Sequence, residues 1–177
     1  MTESYSEERD ILGHFHVMMQ MVSSTLMNKN GNTVSATARD PEYACLRSMM
    51  LEPQNPTMWN ALALVYIMTN NYQEASDAIE RSLDLDTSVA WTWTIWGDLL
   101  GLLGEDIESE RAYRMAVELG SREPHVLNRL ARLCSSRRCY SEALSLLEDL
   151  IPLKPEDQSL WDLYSECLSH RTLLTHD

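Results

Sequence analysis

Residues 59–66 read WNALALVY, 93–100 read WTIWGDLL, 127–134 read LNRLARLC and 161–168 read WDLYSECL. Laid over one another, these stretches put Trp59, Trp93, Leu127 and Trp161 at a constant interval of 34 residues. Three positions on stand Leu62, Trp96, Leu130 and Tyr164, and the next residue is small each time: Ala63, Gly97, Ala131 and Ser165. Recurrence at a fixed period of roughly 20–50 residues marks a stack of equal supersecondary units, so it decides the architecture before local propensity does.

Outward from these stretches the register holds. A small slot carries Ala75, Ser109 and Ala143, and a large slot four residues later carries Ile79, Tyr113 and Leu147. Ser82, Ala116 and Leu150 continue the same helical face, since residues three and four apart stack on one side of a helix. A closing slot holds Pro53, Thr87, Ser121 and Pro155, and proline there ends a helix by removing a donor and fixing φ. Alternating large and small slots let two antiparallel helices approach closely, because a bulky side chain on one meets a gap on the other. Each unit is therefore expected to be a helical hairpin.

In its period, its Trp/Leu and Gly/Ala slots, its second-helix Ala and its closing Pro, the sequence resembles the tetratricopeptide repeat. The resemblance implies an all-α fold, a right-handed superhelical solenoid of antiparallel helix pairs. It covers three full units, 56–89, 90–123 and 124–157, followed by a C-terminal capping helix and tail, 158–177. The unit 90–123 departs furthest, with Trp91, Trp93 and Trp96 crowding its first helix and Ser in both the small-Ala and closing slots. Residues 1–55 are expected to supply an N-terminal helix over Asp10–Met27, ended by NKNGN, and a helix from Asp40-Pro41-Glu42 to Leu51, together a divergent capping hairpin.

The formal charge of −13 repels phosphate backbones and anionic lipid, which disfavours nucleic acid and membrane surfaces as partners. The acidic opening MTESYSEERD lacks the basic region of a signal peptide, and no apolar run approaches a membrane span, so a cytoplasmic location is expected. Cys45, Cys134, Cys139 and Cys167 form no CxxC pair, and His14 and His16 point to opposite sides of a helix, so no metal site is expected. No GxGxxG, P-loop, GxSxG or HExxH string is present, and neither an enzyme nor a cofactor is expected.

The resemblance implies that function lies on the first helix of each pair, which would line a concave face able to hold a peptide or helix. With Trp59, Leu62, Ala63 and Tyr66 facing the second helix, the opposite stripe carries Asn60, Leu64, Ile67 and Met68. The corresponding residues are Trp91, Thr94, Asp98 and Leu102 in the second unit, and His125, Asn128, Arg129, Arg132 and Ser135 in the third. The groove thus runs from apolar to cationic, which fits a protein segment that is apolar and then acidic. One slot reads Asn60, Thr94, Asn128 and Asp162, a row of short polar groups resembling the asparagine rows of peptide-holding repeat proteins; the same row also suits an ordinary wet surface. In the next row Asp98, Arg132 and Glu166 alternate in sign and are able to pair with one another. The carboxylate clamp of chaperone-tail binders is incomplete, since Asn60 and Leu64 stand where Lys and Asn belong and only His125 and Arg129 approach the final basic pair. Arg137 and Arg138, in a turn, would extend the cationic region, which holds seven of the 14 basic residues between Arg111 and Arg138.

Two alternatives accompany this reading: a structural subunit that self-associates or joins a larger complex through the Trp-rich second unit and an exposed solenoid end, and a small chaperone with three repeats. The Met-rich stretch 17–21 reads as helical core or as an adaptable contact surface. If the N-terminal helix folds back onto the apolar end of the groove, deleting residues 1–28 increases affinity for a bound peptide. Unchanged affinity, measured by calorimetry on a variant with intact helical signal, removes that idea.

Overall fold

The computed structural model describes residues 52–174, with side chains through Arg171. The expected N-terminal helices, the His14/His16 pair, the Met-rich stretch and Cys45 lie outside the described residues. Seven α-helices follow in order: α1 (Pro56–Met68), α2 (Tyr72–Leu85), α3 (Ala90–Leu102), α4 (Asp106–Glu118), α5 (Pro124–Ser136), α6 (Tyr140–Leu150) and α7 (Gln158–Leu174), with a 3-10 turn at Ile151–Leu153 before α7. Helix openings at Pro56, Ala90, Pro124 and Gln158 keep the sequence period. Helices α1 and α2, α3 and α4, and α5 and α6 pack as hairpins, each second helix packs on the next first helix, and α7 rests on α6 and α5.

Local chemistry sets the helix ends. Asn55 caps α1 by accepting from the Thr57 N–H at 3.0 Å, and Pro56 and Pro124 occupy the first helical turn, where a missing N–H costs nothing. Within each hairpin the turn is closed by one left-handed residue, and the three are equivalent: Asn70 (φ 59°), Gly104 (φ 77°) and Arg138 (φ 63°). The following N–H returns to the helix: Asn71 to the Tyr66 carbonyl at 2.8 Å, Glu105 to Leu100 at 2.9 Å and Cys139 to Cys134 at 2.8 Å. This is the Schellman arrangement, which satisfies orphan carbonyls at a helix end. Asn and Gly suit the left-handed region, whereas Arg138 occupies it against the Cβ penalty.

The core falls into two clusters. One spans α1–α3, from Met58 through Leu64 and Ile79 to Ile95 and Leu99; the other spans α4–α7, from Tyr113 through Leu127, Leu130 and Leu147 to Leu160 and Cys167. The tryptophans of the second unit are half-buried and bridge them, Trp91 and Trp96 against the first cluster and Trp93 against the second. Each Trp of the repeating slot donates its indole N–H to the closing-slot carbonyl before it: Trp59 to Pro53 at 3.2 Å, Trp93 to Thr87 at 2.9 Å and Trp161 to Pro155 at 3.0 Å. Leu127 fills that slot in the third unit, and the Ser121 carbonyl accepts instead from Arg122 at 2.8 Å.

Between the clusters, α3 and α4 make a close contact at Gly97. Tyr113 is fully buried, and a Cβ added to Gly97 would lie 2.7 Å from its ring. Ser109 donates to the Gly97 carbonyl at 2.8 Å, beside the same contact. Gly101, one turn on, would place a Cβ at an ordinary 3.5 Å from Ser109 Oγ. Two alanine substitutions in one helix therefore have opposite expected signs. Gly97→Ala forces the packed ring aside and lowers stability by about 2 kcal/mol, while Gly101→Ala restricts the unfolded chain and raises it by about 0.5–1 kcal/mol. Urea unfolding of both variants checks the pair, and a neutral Gly97→Ala would show that the contact is soft.

Candidate functional site

The first-helix residues expected to line a groove fall into three chemically different stretches. On α1, Asn60, Leu64 and Ile67 are buried and Met68 is exposed. The Asn60 amide donates to Thr92 Oγ1 at 2.9 Å, and Thr92 lies 3.1 Å from Ser82 Oγ, which donates to the Pro56 carbonyl at 3.1 Å. This buried string ties α1, α2 and α3 together, and it leaves Asn60 Oδ1 buried without a hydrogen-bond partner. The sequence placed Ser82 only on the inner face of its helix, and Thr92 carried no signal, since it lies two positions short of the slot one repeat after Asn60.

The second unit contributes a polar cluster. Thr94 is buried and donates back to the Ala90 carbonyl at 3.3 Å, and Trp91 is half-buried. Asp98, mostly buried, accepts from the Tyr113 hydroxyl at 2.6 Å and lies 3.9 Å from His125 Nε2 of the next unit. Glu123 flanks the same imidazole at 3.4 Å from Nδ1. Burial first, and then the negative Asp98, push the Tyr113 phenol well above its ordinary value, with Arg129 opposing weakly. Tyr113 therefore stays a proton donor to Asp98 throughout the physiological range.

On α5, Asn128, Arg129 and Arg132 are half-buried. Arg132 donates to Asn128 Oδ1 at 3.2 Å and to Ser159 Oγ of α7 at 3.4 Å. In the row Asn60, Thr94, Asn128 and Asp162, every member makes a bond inside the solenoid, Asp162 accepting from Gln158 at 3.0 Å.

Arg137 lies elsewhere in the bonding pattern. It donates at 2.7 Å to Glu110, a buried carboxylate of α4 that also takes Arg114 at 2.8 Å, and Arg114 reaches on to Glu142 of α6. The guanidinium expected to extend a cationic site is instead the counter-charge for a buried acid, because a carboxylate leaves water only where cations replace its hydration. Burial pushes the Glu110 carboxyl up, but hydrogen bonds and charge from Arg137 and Arg114 outweigh it and hold the group below its usual value. Cys134, beside Arg114, has its thiol pushed up to about 12 by burial and then by Glu142, so it is not a reactive thiolate. Among the described residues, no group of three or more His, Cys, Asp or Glu is placed to hold a metal ion.

A carboxyl whose folded value is lowered contributes stability that is present above its unfolded value, near 4.5, and is lost as pH falls through the folded value. Glu110→Gln is expected to cost about 1–2 kcal/mol at pH 7, the range of a hydrogen bond to a charged group on a half-exposed cation. Melting curves of both proteins should converge as the pH is lowered well below the unfolded value, and a gap that persists in acid would assign the loss to packing.

No protein-family model matches the sequence, and no curated protein matches it. Solved structures do. The chain is similar to YrrB, described as a TPR protein with an unusual peptide-binding site, at 16% identity over 76% of this chain and 70% of that one with a TM-score of 0.70. MamA aligns at 17% identity over 91% of this chain and 85% of its own with a TM-score of 0.62. TTC0263, a TPR protein of Thermus thermophilus, aligns at 19% identity over 72% of this chain and 71% of its own with a TM-score of 0.57. At such identities the shared property is the backbone arrangement, and with three hairpins and a closing helix in register among the described residues the chain has the tetratricopeptide-repeat fold.

Proposed function

We propose that the chain is a non-catalytic interaction scaffold, an adaptor or chaperone-like module that holds a segment of another polypeptide along the face of its first helices. The observation that carries this reading is the composition of that face from α1 to α5. Met68 is exposed at the α1 end, and half-buried Asn128, Arg129 and Arg132 stand on α5 in a chain whose net charge is −13. A guanidinium pair beside an amide offers planar donors to carboxylates. The preferred partner segment is thus apolar and then acidic, and it lies across hairpins in the manner open to solenoids. Support from relatives is limited to fold: YrrB is described with a peptide-binding site, and a structure of Naa15/Naa10 bound to HypK-THB contains a stretch of this shape, matching 94% of this chain and 24% of its own.

A second reading, a structural subunit that self-associates or enters a larger complex, is favoured by one observation at the solenoid end. Helix α7 packs inward through buried Leu160 and Cys167, and leaves Trp161 43% exposed beside Tyr164. In the inner units that slot is half-buried at Trp59 and Trp93 and buried at Leu127. The Trp-rich second unit gives this reading no support, since its three indoles serve the two core clusters.

The two readings separate in one experiment. Wild type and the variant Asn128→Ala/Arg129→Glu/Arg132→Glu, both shown to be folded, are used for affinity capture beside Trp161→Ser. The scaffold reading expects the triple variant to lose the captured partner by at least tenfold, a change of about 1.4 kcal/mol or more. Retention by the triple variant, with loss of assembly in Trp161→Ser by light scattering, would transfer the function to the solenoid end.

A further inference from the structure

The turn joining α3 to α4 carries three large aliphatic side chains that the fold does not use. Leu102, Leu103 and Ile107 are 39%, 47% and 51% exposed. The equivalent positions are Met68, Thr69 and Gln73 in the first unit and Ser136, Arg137 and Ser141 in the third. All three turns close through the same left-handed residue and the same returning N–H bond, so the backbone does not require aliphatic groups there. Scattered exposed leucines need no explanation, but three on one turn, absent from two turns of identical geometry, do.

The chemistry around the strip selects its occupant. Glu105, Asp106 and Glu108 are interleaved with the aliphatic groups and are exposed as well. Arg111 approaches Glu108 only at 3.9 Å, with both side chains more than half exposed, so screening by water and salt makes that pair weak. A second copy docking turn to turn in a symmetric pair would set these carboxylates against their own equivalents, which like-charge repulsion opposes.

We propose that the α3–α4 turn is a docking knuckle for a protein segment that carries aliphatic or aromatic residues interspersed with Arg or Lys. This surface adjoins the first-helix face at Leu102, the last residue of α3, but centres on Leu103 and Ile107, and its preference is opposite in sign to that of α5. Apolar contact supplies the attraction, and the acidic rim sets orientation and association rate.

The probe is a synthetic amphipathic peptide with Leu on one helical face and Arg flanking it, titrated onto the full chain by fluorescence anisotropy. Saturable binding is expected. It should weaken at least tenfold in Leu103→Ser/Ile107→Ser and, independently, in Glu105→Gln/Glu108→Gln, both at exposed positions. Glu156→Gln/Glu166→Gln makes the same change in net charge elsewhere and should stay within twofold of wild type, as should Arg129→Glu/Arg132→Glu after allowance for its added negative charge by a salt series. Equal weakening in the Glu156/Glu166 control would reduce the effect to bulk charge and overturn the proposal. So would absence of saturable binding, or a wild-type dimer that dissociates in Leu103→Ser/Ile107→Ser, which would make the occupant a second copy. Loss of the peptide only in the Arg129/Arg132 variant would place it on the first-helix face instead.

Discussion

The ring of Tyr113 against the bare backbone of Gly97 is the contact on which the middle of the solenoid depends. With a prospective Cβ only 2.7 Å from the ring, no L-residue allows α3 and α4 this separation without displacement. The hydroxyl of the same ring donates to Asp98, which fixes a first-helix carboxylate at 2.6 Å. Tyr113 also opens the core cluster that continues through Val126 and Leu127 into the third unit. One side chain therefore sets a hairpin spacing, orients a polar group and begins the next interface. Interiors packed to crystalline density transmit such constraints because they have no slack to absorb them.

Stacked units are stable only through neighbour interfaces, and this chain builds each junction with different chemistry. Between the first and second units the specific element is the neutral string Pro56 carbonyl, Ser82, Thr92 and Asn60. Between the second and third it is ionic, with Glu110 held by Arg114 and Arg137 and Arg114 reaching Glu142. At α7 it is mostly apolar, with Leu150, Leu160 and Cys167 buried and Cys167 Sγ within 3.5 Å of Ser135 Oγ. A buried polar link adds little net energy compared with an apolar one, but mismatching it is costly. Distinct links at successive junctions thus discriminate against units stacking out of order, a hazard built into any repetitive sequence.

Fold and junctions were unequally legible in the sequence. The hairpins were readable because the large and small slots report backbone spacing, which is the same in every unit: Trp59, Gly97, Ala131 and Tyr113 each did in space what their slot implied. The left-handed residue of the hairpin turn has a chemical signature at Asn70 and Gly104, which tolerate that region, and none at Arg138, which the sequence placed in a turn without its conformation. The indole bond was hidden for a related reason: it goes to a main-chain carbonyl, so Pro, Thr and Pro serve equally and leave no side-chain signature. Individual polar roles were the least legible. Asn60 and Arg137 had the residue types of a peptide site, and each forms a bond across a unit junction. A sequence shows that a polar group is present, whereas its partner depends on how two units rotate against each other.

That distinction bears on where recognition resides. A first-helix face has to satisfy its junctions before it can serve a ligand, because an unpaired buried polar group destabilises the scaffold that presents it. On α1 the amide nitrogen of Asn60 is taken up by Thr92, and on α3 Asp98 is taken up by Tyr113 and lies close to His125. The α5 groups Asn128, Arg129 and Arg132 keep partial exposure, although Arg132 also reaches Ser159 of α7. Equivalent positions of the turns also diverge, from Thr69 and Gln73 to Leu103 and Ile107 to Arg137 and Ser141. Side-chain chemistry at the turns thus varies while their backbone stays constant, the condition under which a surface can change without a change of fold.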